Sequence, residues 1–195
     1  MKLQISLLML GLGLMAGASA LEPGHLFKMA PETGMTDLKF VDVTPGSSWT
    51  EKDGVLISSG KGESYLITQK AYGDFVLDLD FKPSDDINAG VYMRCQDEQR
   101  IKADSCYEAN IWDKSKNAQF RTGAIVQRQP VTAIQDTVGK WNHYQLTLQG
   151  DTIEVKLNGN VTAILKDKQL SQGFIGFQHK GSGTIEIKDV RLKTR

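Results

Sequence analysis

The sequence predicts an all-β chain folded as a jelly roll or sandwich of two antiparallel sheets. Three observations lead there: short runs that alternate apolar and polar residues, glycine-centred turns between them, and no sustained helical period. The run Phe75 to Lys82 places Phe75, Leu77, Leu79 and Phe81 on one side and Asp78 and Asp80 on the other. Tyr144, Leu146 and Leu148 alternate with Gln145, Thr147 and Gln149, and Ile153, Val155 and Leu157 repeat the pattern, as do Ile185 and Ile187. A side chain that faces the core at every second position is what a half-buried strand requires.

The elements follow in order. Residues 1–20, MKLQISLLMLGLGLMAGASA, combine Lys2, an apolar stretch and an Ala-Ser-Ala end, the pattern of a secretory signal peptide. Residues 21–48 carry Pro23, Pro31 and Pro45 and read as an irregular lead-in with a short strand around Leu38–Val43; His25 is expected to be exposed there. Residues 49–195 form the sandwich domain. Its further strands are expected at Val55–Ser58, Tyr65–Thr68, Gly90–Arg94, Tyr107–Trp112, Gly123–Gln127, Val161–Leu165 and Phe174–Gln178, with a single helical turn at Asp167–Gln172. Asn158-Gly159 is a strong hairpin signal, and Gly150-Asp151 marks another turn.

Composition narrows the partner. Of 195 residues, 23 are basic and 23 acidic, with no basic stripe for nucleic acid and no polybasic cluster for a membrane surface. No second apolar run is long enough to span a membrane after the signal is removed. The expected product is periplasmic or secreted, with a small neutral partner. Cys95 and Cys106 are the two cysteines. Export permits a disulfide between them, and two free or buried thiols are the alternative.

From Tyr72 onward the chain resembles a known family. YGDFVLDLDFKPSDDINAGVYMR (Tyr72–Arg94) is similar to the signature of the 3-keto-disaccharide hydrolase domain, long catalogued as domain of unknown function 1080. Further matching pieces are YEANIWD (Tyr107–Asp113), TGAI (Thr122–Ile125), KWN (Lys140–Asn142), LNG (Leu157–Gly159) and GFIGFQHKGSGTIEIKDVRL (Gly173–Leu192). The departures are Ala89 for a serine, Asn110 for a glutamine, Val126 for a tyrosine, and Lys180 set between His179 and Gly181. The resemblance spans about residues 49–192. It implies a concanavalin-like β-sandwich, bacterial export and action on sugars oxidised at carbon 3.

A 3-keto sugar invites a particular chemistry. The ketone acidifies the carbon 2 hydrogen, a base removes it, a cation or donor holds the enolate oxygen, and the carbon 1 substituent leaves. Water addition completes a net hydrolysis. The route needs one base and one oxyanion stabiliser rather than the opposed carboxylates of an ordinary glycosidase. Glu108 and His179 are the candidate bases. His179 is the one histidine inside a family-like piece, and imidazole titrates near neutrality. Arg94, placed by alternation on the Tyr92 face, is the candidate stabiliser, with Lys180 as another cation; Tyr92 and Lys180 are also candidate sugar-binding residues. Glu108, Asn110 and Trp112 share one strand face, opposite Tyr107, Ala109 and Ile111, and suit hydroxyl binding and stacking on a sugar ring. Asp113 is expected as a turn or structural residue, and His143 as part of a polar face. A bond between the cysteines would put Arg94 and Glu108 on opposite faces of regular strands, unless a bulge intervenes. No cofactor is expected. A divalent metal would polarise the ketone, but no ligand set can be read. A non-catalytic lectin-like carbohydrate-binding module is the alternative function.

Overall fold

The computed structural model describes residues 26–29, 38–44, 48–84 and 87–195. The expected signal peptide and His25 lie outside the described residues. Thirteen strands are found among them: β1 (Leu26–Met29), β2 (Leu38–Asp42), β3 (Trp49–Lys52), β4 (Val55–Ser59), β5 (Gly62–Thr68), β6 (Phe75–Pro83), β7 (Ile87–Cys95), β8 (Tyr107–Ile111), β9 (Asn142–Gln149), β10 (Thr152–Leu157), β11 (Asn160–Lys166), β12 (Phe174–Gly181) and β13 (Thr184–Thr194).

They form two antiparallel sheets. The first runs β1-β2-β5-β12-β7-β8, and the second β11-β10-β9-β6-β13-β4-β3. Neighbours such as β12 and β7 are distant in sequence, as in a jelly roll. The alternation read from the sequence is the packing code. In β6, Phe75, Leu77, Leu79 and Phe81 are fully buried, while Asp78 and Asp80 face outward. On the inner face of the first sheet Phe40 stacks on Phe177 at 4.7 Å, and on that of the second Phe81 meets Tyr144 at 4.6 Å. Each such side chain contributes roughly 1.5–3 kcal/mol by leaving water. The β10–β11 hairpin turns at Asn158-Gly159, both with positive φ (51° and 82°), as its twist demands.

The strand expected around Leu38–Val43 forms as β2; among the described residues β1 pairs with it, and the two carry the first sheet outward from β5. Two expectations are corrected. Gly123–Gln127 is a turn rather than a strand, with Ile125 bridged to Ala109 and Gln129. No helical turn forms over Asp167–Gln172; the short 3-10 turn lies at Ala118–Phe120, capped by the Asn117 side chain.

One irregularity decides the site. Tyr92 pairs with Gly176 and Cys95 with Phe174, so β7 spends one residue more than β12 over this span. Arg94 absorbs it in a left-handed conformation, φ 53°. Gly173 leaves room for the kink: a Cβ there would sit 2.3 Å from the Arg94 carbonyl carbon and the Cys95 oxygen. The bulge turns Cys95 to the outer side, where it forms a disulfide with Cys106.

Candidate functional site

Core residues of the first sheet include Leu66, Val91, Ala109 and Phe177. Alternation therefore sends their neighbours to the outer face. There a cavity of about 390 Å³ opens. Strand β5 contributes Glu63 and Tyr65 to it, β7 Asn88 and Tyr92, β8 Glu108 and Asn110, and β12 Gln178 and Lys180. One wall is the disulfide-closed loop at Ile101, Lys102 and Ala103; the other is Phe120, Val126 and Gln127.

Glu108 is the most perturbed carboxylate here. It is 6% exposed and lies across β7 where Gly90 has no side chain; a Cβ on Gly90 would come within 2.6 Å of its Oε1. A glycine inside a strand often marks such a close approach. Burial pushes the Glu108 carboxyl up to about 7 from an ordinary 4.5. A hydrogen bond from Tyr92 and the charge of Lys180 oppose the rise, and Glu63 adds to it. Burial, then the charge of Glu108, raises Tyr92 and keeps its phenol a neutral donor.

Beside it stands a second network. Glu63 accepts hydrogen bonds from the Tyr65 hydroxyl (2.6 Å) and the Gln178 amide (2.9 Å), and pairs with Lys180 at 3.3 Å. Burial alone would raise Glu63, but Tyr65, Lys180 and Gln178 together hold it below its ordinary value. Burial and the bond to Glu63 raise Tyr65. Two of the lining residues, Asn88 and Asn110, each carry a side-chain Oδ1 that is buried without a partner. Unpaired buried acceptors carry a desolvation penalty.

Four of the residues singled out from the sequence therefore meet: Glu108, Asn110, Tyr92 and Lys180. Three do not. Arg94 is fully buried on the other side of the sheet. Its guanidinium donates to the carbonyls of Gly73, Gly150 and Leu170 (3.1, 3.0 and 2.9 Å) and to Asp74 Oδ1 (2.9 Å). The left-handed bulge breaks the alternation that placed it with Tyr92. His179 lies within β12 rather than at its end, 1% exposed, with its Nε2 bonded to the Gly183 carbonyl at 3.0 Å. It shares parity with Ile175 and Phe177, so Gln178 and Lys180 face the cavity instead. The expected convergence of Arg94, Glu108 and His179 does not occur. Trp112 follows the end of β8, where its backbone N–H donates to Thr122 Oγ1 (2.9 Å), and it does not line the cavity. Asp113 is structural, bound by Thr122 and Thr137.

Sequence reasoning missed Glu63, Tyr65, Asn88 and Gln178. Asn88 and Gln178 carried a signal, since alternation from Gly90 and from Phe177 places each on the outer face. Glu63 and Tyr65 carried none, because β5 reaches the site only through its pairing with β12. Among the described residues, no group of three His, Cys, Asp or Glu is placed to hold a metal ion, and no helix is long and apolar enough to cross a membrane.

Residues 38–193 match the model of the 3-keto-alpha-glucoside-1,2-lyase-like domain. The chain belongs to this family. No curated protein sequence matches it. A candidate glycosyl hydrolase of Parabacteroides distasonis superposes with TM-score 0.69 at 25% identity, covering 75% of this chain and 90% of that one. The carbohydrate-binding module CBM66 of Bacillus subtilis gives 0.63 at 19%, covering 80% and 95%. A β-glucanase of Bacillus licheniformis gives 0.57 at 11%, covering 93% and 100%. The last two share the fold, a concanavalin-like sandwich, with this lyase-like domain.

Proposed function

We propose that the chain is an exported enzyme that cleaves 3-keto-glycosides by elimination, with Glu108 as the base. The observation that carries this reading is the Glu108 carboxyl itself: buried, raised to about 7, and set in a cavity lined also by Lys180, Asn88 and Asn110. A base works best with a pKa near the working pH. Glu108 removes the carbon 2 proton, and the electron pair moves into the enolate. The enolate oxygen faces Lys180, whose ammonium is anchored by Glu63. Collapse of the enolate breaks the bond from carbon 1 to the glycosidic oxygen. The carboxylic acid formed at Glu108 returns the proton to that departing oxygen, so atoms and charge balance within one turnover. Water addition to the resulting enone gives net hydrolysis. Asn88, Asn110 and Tyr92 hold hydroxyls.

A second reading is a non-catalytic carbohydrate-binding module, favoured by the same amides and tyrosines in an open, polar cavity and by the shared fold of the carbohydrate-binding module CBM66. The two separate in one experiment. The protein is incubated with a 3-keto-glucoside and with the same glucoside lacking the ketone, and released aglycone is followed. Turnover of the ketone alone, lost in Glu108→Gln, supports the enzyme. Binding of both without release supports the module. Cleavage of the plain glucoside would instead make Glu63 and Glu108 an ordinary base and acid pair.

A further inference from the structure

Among the described residues, Asp53, Arg94, Gln127, Asn158 and Asp189 adopt positive φ without being glycine. Asp53, Asn158 and Asp189 have the short polar side chains that tolerate the left-handed region. Arg94 is held there by the buried hydrogen bonds of its guanidinium. Gln127, at φ 60°, has neither the short side chain nor the burial: it is exposed, and it lines the Glu108 cavity. Residues kept in such conformations cluster at ligand sites, where the surrounding structure imposes them.

The surroundings impose this one. The N–H groups of Arg128 and Gln129 both donate to the Ile125 carbonyl (3.0 and 2.8 Å), and the Ile125 N–H donates to the Gln129 carbonyl at 2.9 Å. Val126 and Gln127 are therefore the central residues of a tight turn, and a positive φ at the second of them ordinarily calls for glycine. The turn is pinned on both sides of Gln127. Before it, the Val126 N–H donates to the Glu108 carbonyl (2.9 Å). After it, the Arg128 guanidinium donates to Asp167 (2.8 Å), Gln169 (2.9 Å) and the Ala103 carbonyl (3.3 Å) and lies over the Tyr107 ring at 4.8 Å. Ala103 belongs to the disulfide-closed loop, so Arg128 joins the two walls of the cavity. Both neighbours of Gln127 serve the fold, while Gln127 is presented to the cavity. Glycine would keep this turn without strain. What glycine lacks is the carboxamide, an uncharged group that both donates and accepts, as a sugar hydroxyl does.

Resting on the function proposed above, we infer that Gln127 is a ligand-binding residue whose carboxamide takes a hydroxyl of the sugar held over Glu108. The strain at the turn is kept because the side chain contributes affinity; the fold alone is better served by glycine.

The test compares the full chain with three variants, by thermal melting and by turnover of a 3-keto-glucoside. Gln127→Gly should raise Tm by about 2–4 °C, the scale for one relieved left-handed residue in a chain of this size. Its KM should rise about fivefold, the scale of one lost hydrogen bond, with kcat unchanged. Gln127→Ala keeps the strain and removes the amide, so KM should rise as much while Tm stays where it was. Gln127→Asn keeps an amide and tolerates the conformation, so Tm should rise and KM should rise less than in Gln127→Gly. A Gln127→Gly chain that melts higher with KM unchanged overturns the inference and leaves the proposed function standing. One that melts lower does the same, because the side chain then serves the fold. Where the wild type binds the sugar without turning it over, the proposed function fails and Kd decides the inference: a Kd unchanged in Gln127→Gly overturns it, and a Kd weakened about fivefold supports it. Neither turnover nor binding by the wild type overturns both.

Discussion

At the scale of single residues the protein places one carboxylate, Glu108, almost out of contact with water at the bottom of an open cavity. The sign of the consequence follows from the shift. Glu108 titrates near 4.5 when unfolded and near 7 when folded, so between those values the native state holds the extra proton. The group costs nothing below about pH 4.5. Its penalty grows as pH rises and is complete above about pH 7, where the shift corresponds to about 3 kcal/mol. Glu108→Gln removes that titration. In urea denaturation the variant should gain stability over the wild type as pH goes from about 4 to about 8, by up to that amount. Its turnover should fall by roughly 10²–10⁴, the range for a lost general base. Wild-type turnover should rise with pH to a plateau above about 7. A pH-independent stability difference would show that the carboxyl is not buried as described. Glu108 was legible as a candidate because Tyr107, Ala109 and Ile111 declare the core face of β8. Its partner Gly90 was legible only as a strand glycine.

At the scale of elements, the β7 bulge and the disulfide act as one device. Arg94 turns inward and ties the loop at Gly73-Asp74, the β9–β10 turn and the segment at Leu170 to the sheet end. Cys95 turns outward and closes the loop that walls the Glu108 cavity. Period-2 reading placed Arg94 beside Tyr92 because it assumes every residue keeps the pleat; one left-handed residue reverses the assignment downstream. The same rule, applied from Phe177, would have put His179 inside, so that correction needed no coordinates. The cysteine pairing posed the conflict correctly, and the bulge resolves it. Replacing both cysteines with serine should lower stability by about 3 kcal/mol, the chain-entropy scale for a loop of this size. The loop wall should also loosen. Thermal melting and ligand titration in the same buffer should show a lower Tm together with weaker binding. Loss of stability with undiminished affinity would mean that the loop keeps its place without the bond.

At the scale of the whole molecule, the sandwich was legible because alternation and turn chemistry are local. The site was only half legible, because it is made by four strands drawn from residues 62 to 181, and sheet order is set by long-range pairing. Residue type alone misleads here. The outer face of the second sheet carries a histidine between two carboxylates: His143 Nδ1 lies 2.8 Å from Asp80 and Nε2 3.2 Å from Asp78. By composition it resembles a catalytic centre more than the Glu108 cavity does. Its strands β6 and β9 are neighbours, however, so the three side chains contact each other across one flat ladder. All three are partly exposed to water. An exposed ion pair of this kind is worth at most about 1 kcal/mol. His143→Ala should therefore lower stability by no more than that amount and leave sugar affinity and turnover unchanged, while Tyr65→Ala on the opposite face should impair both. Turnover assays and melting curves on the two variants decide between the faces of the sandwich. Loss of activity in His143→Ala with activity kept in Tyr65→Ala would move the site to the second sheet, since no side chain of the His143 group lines the Glu108 cavity.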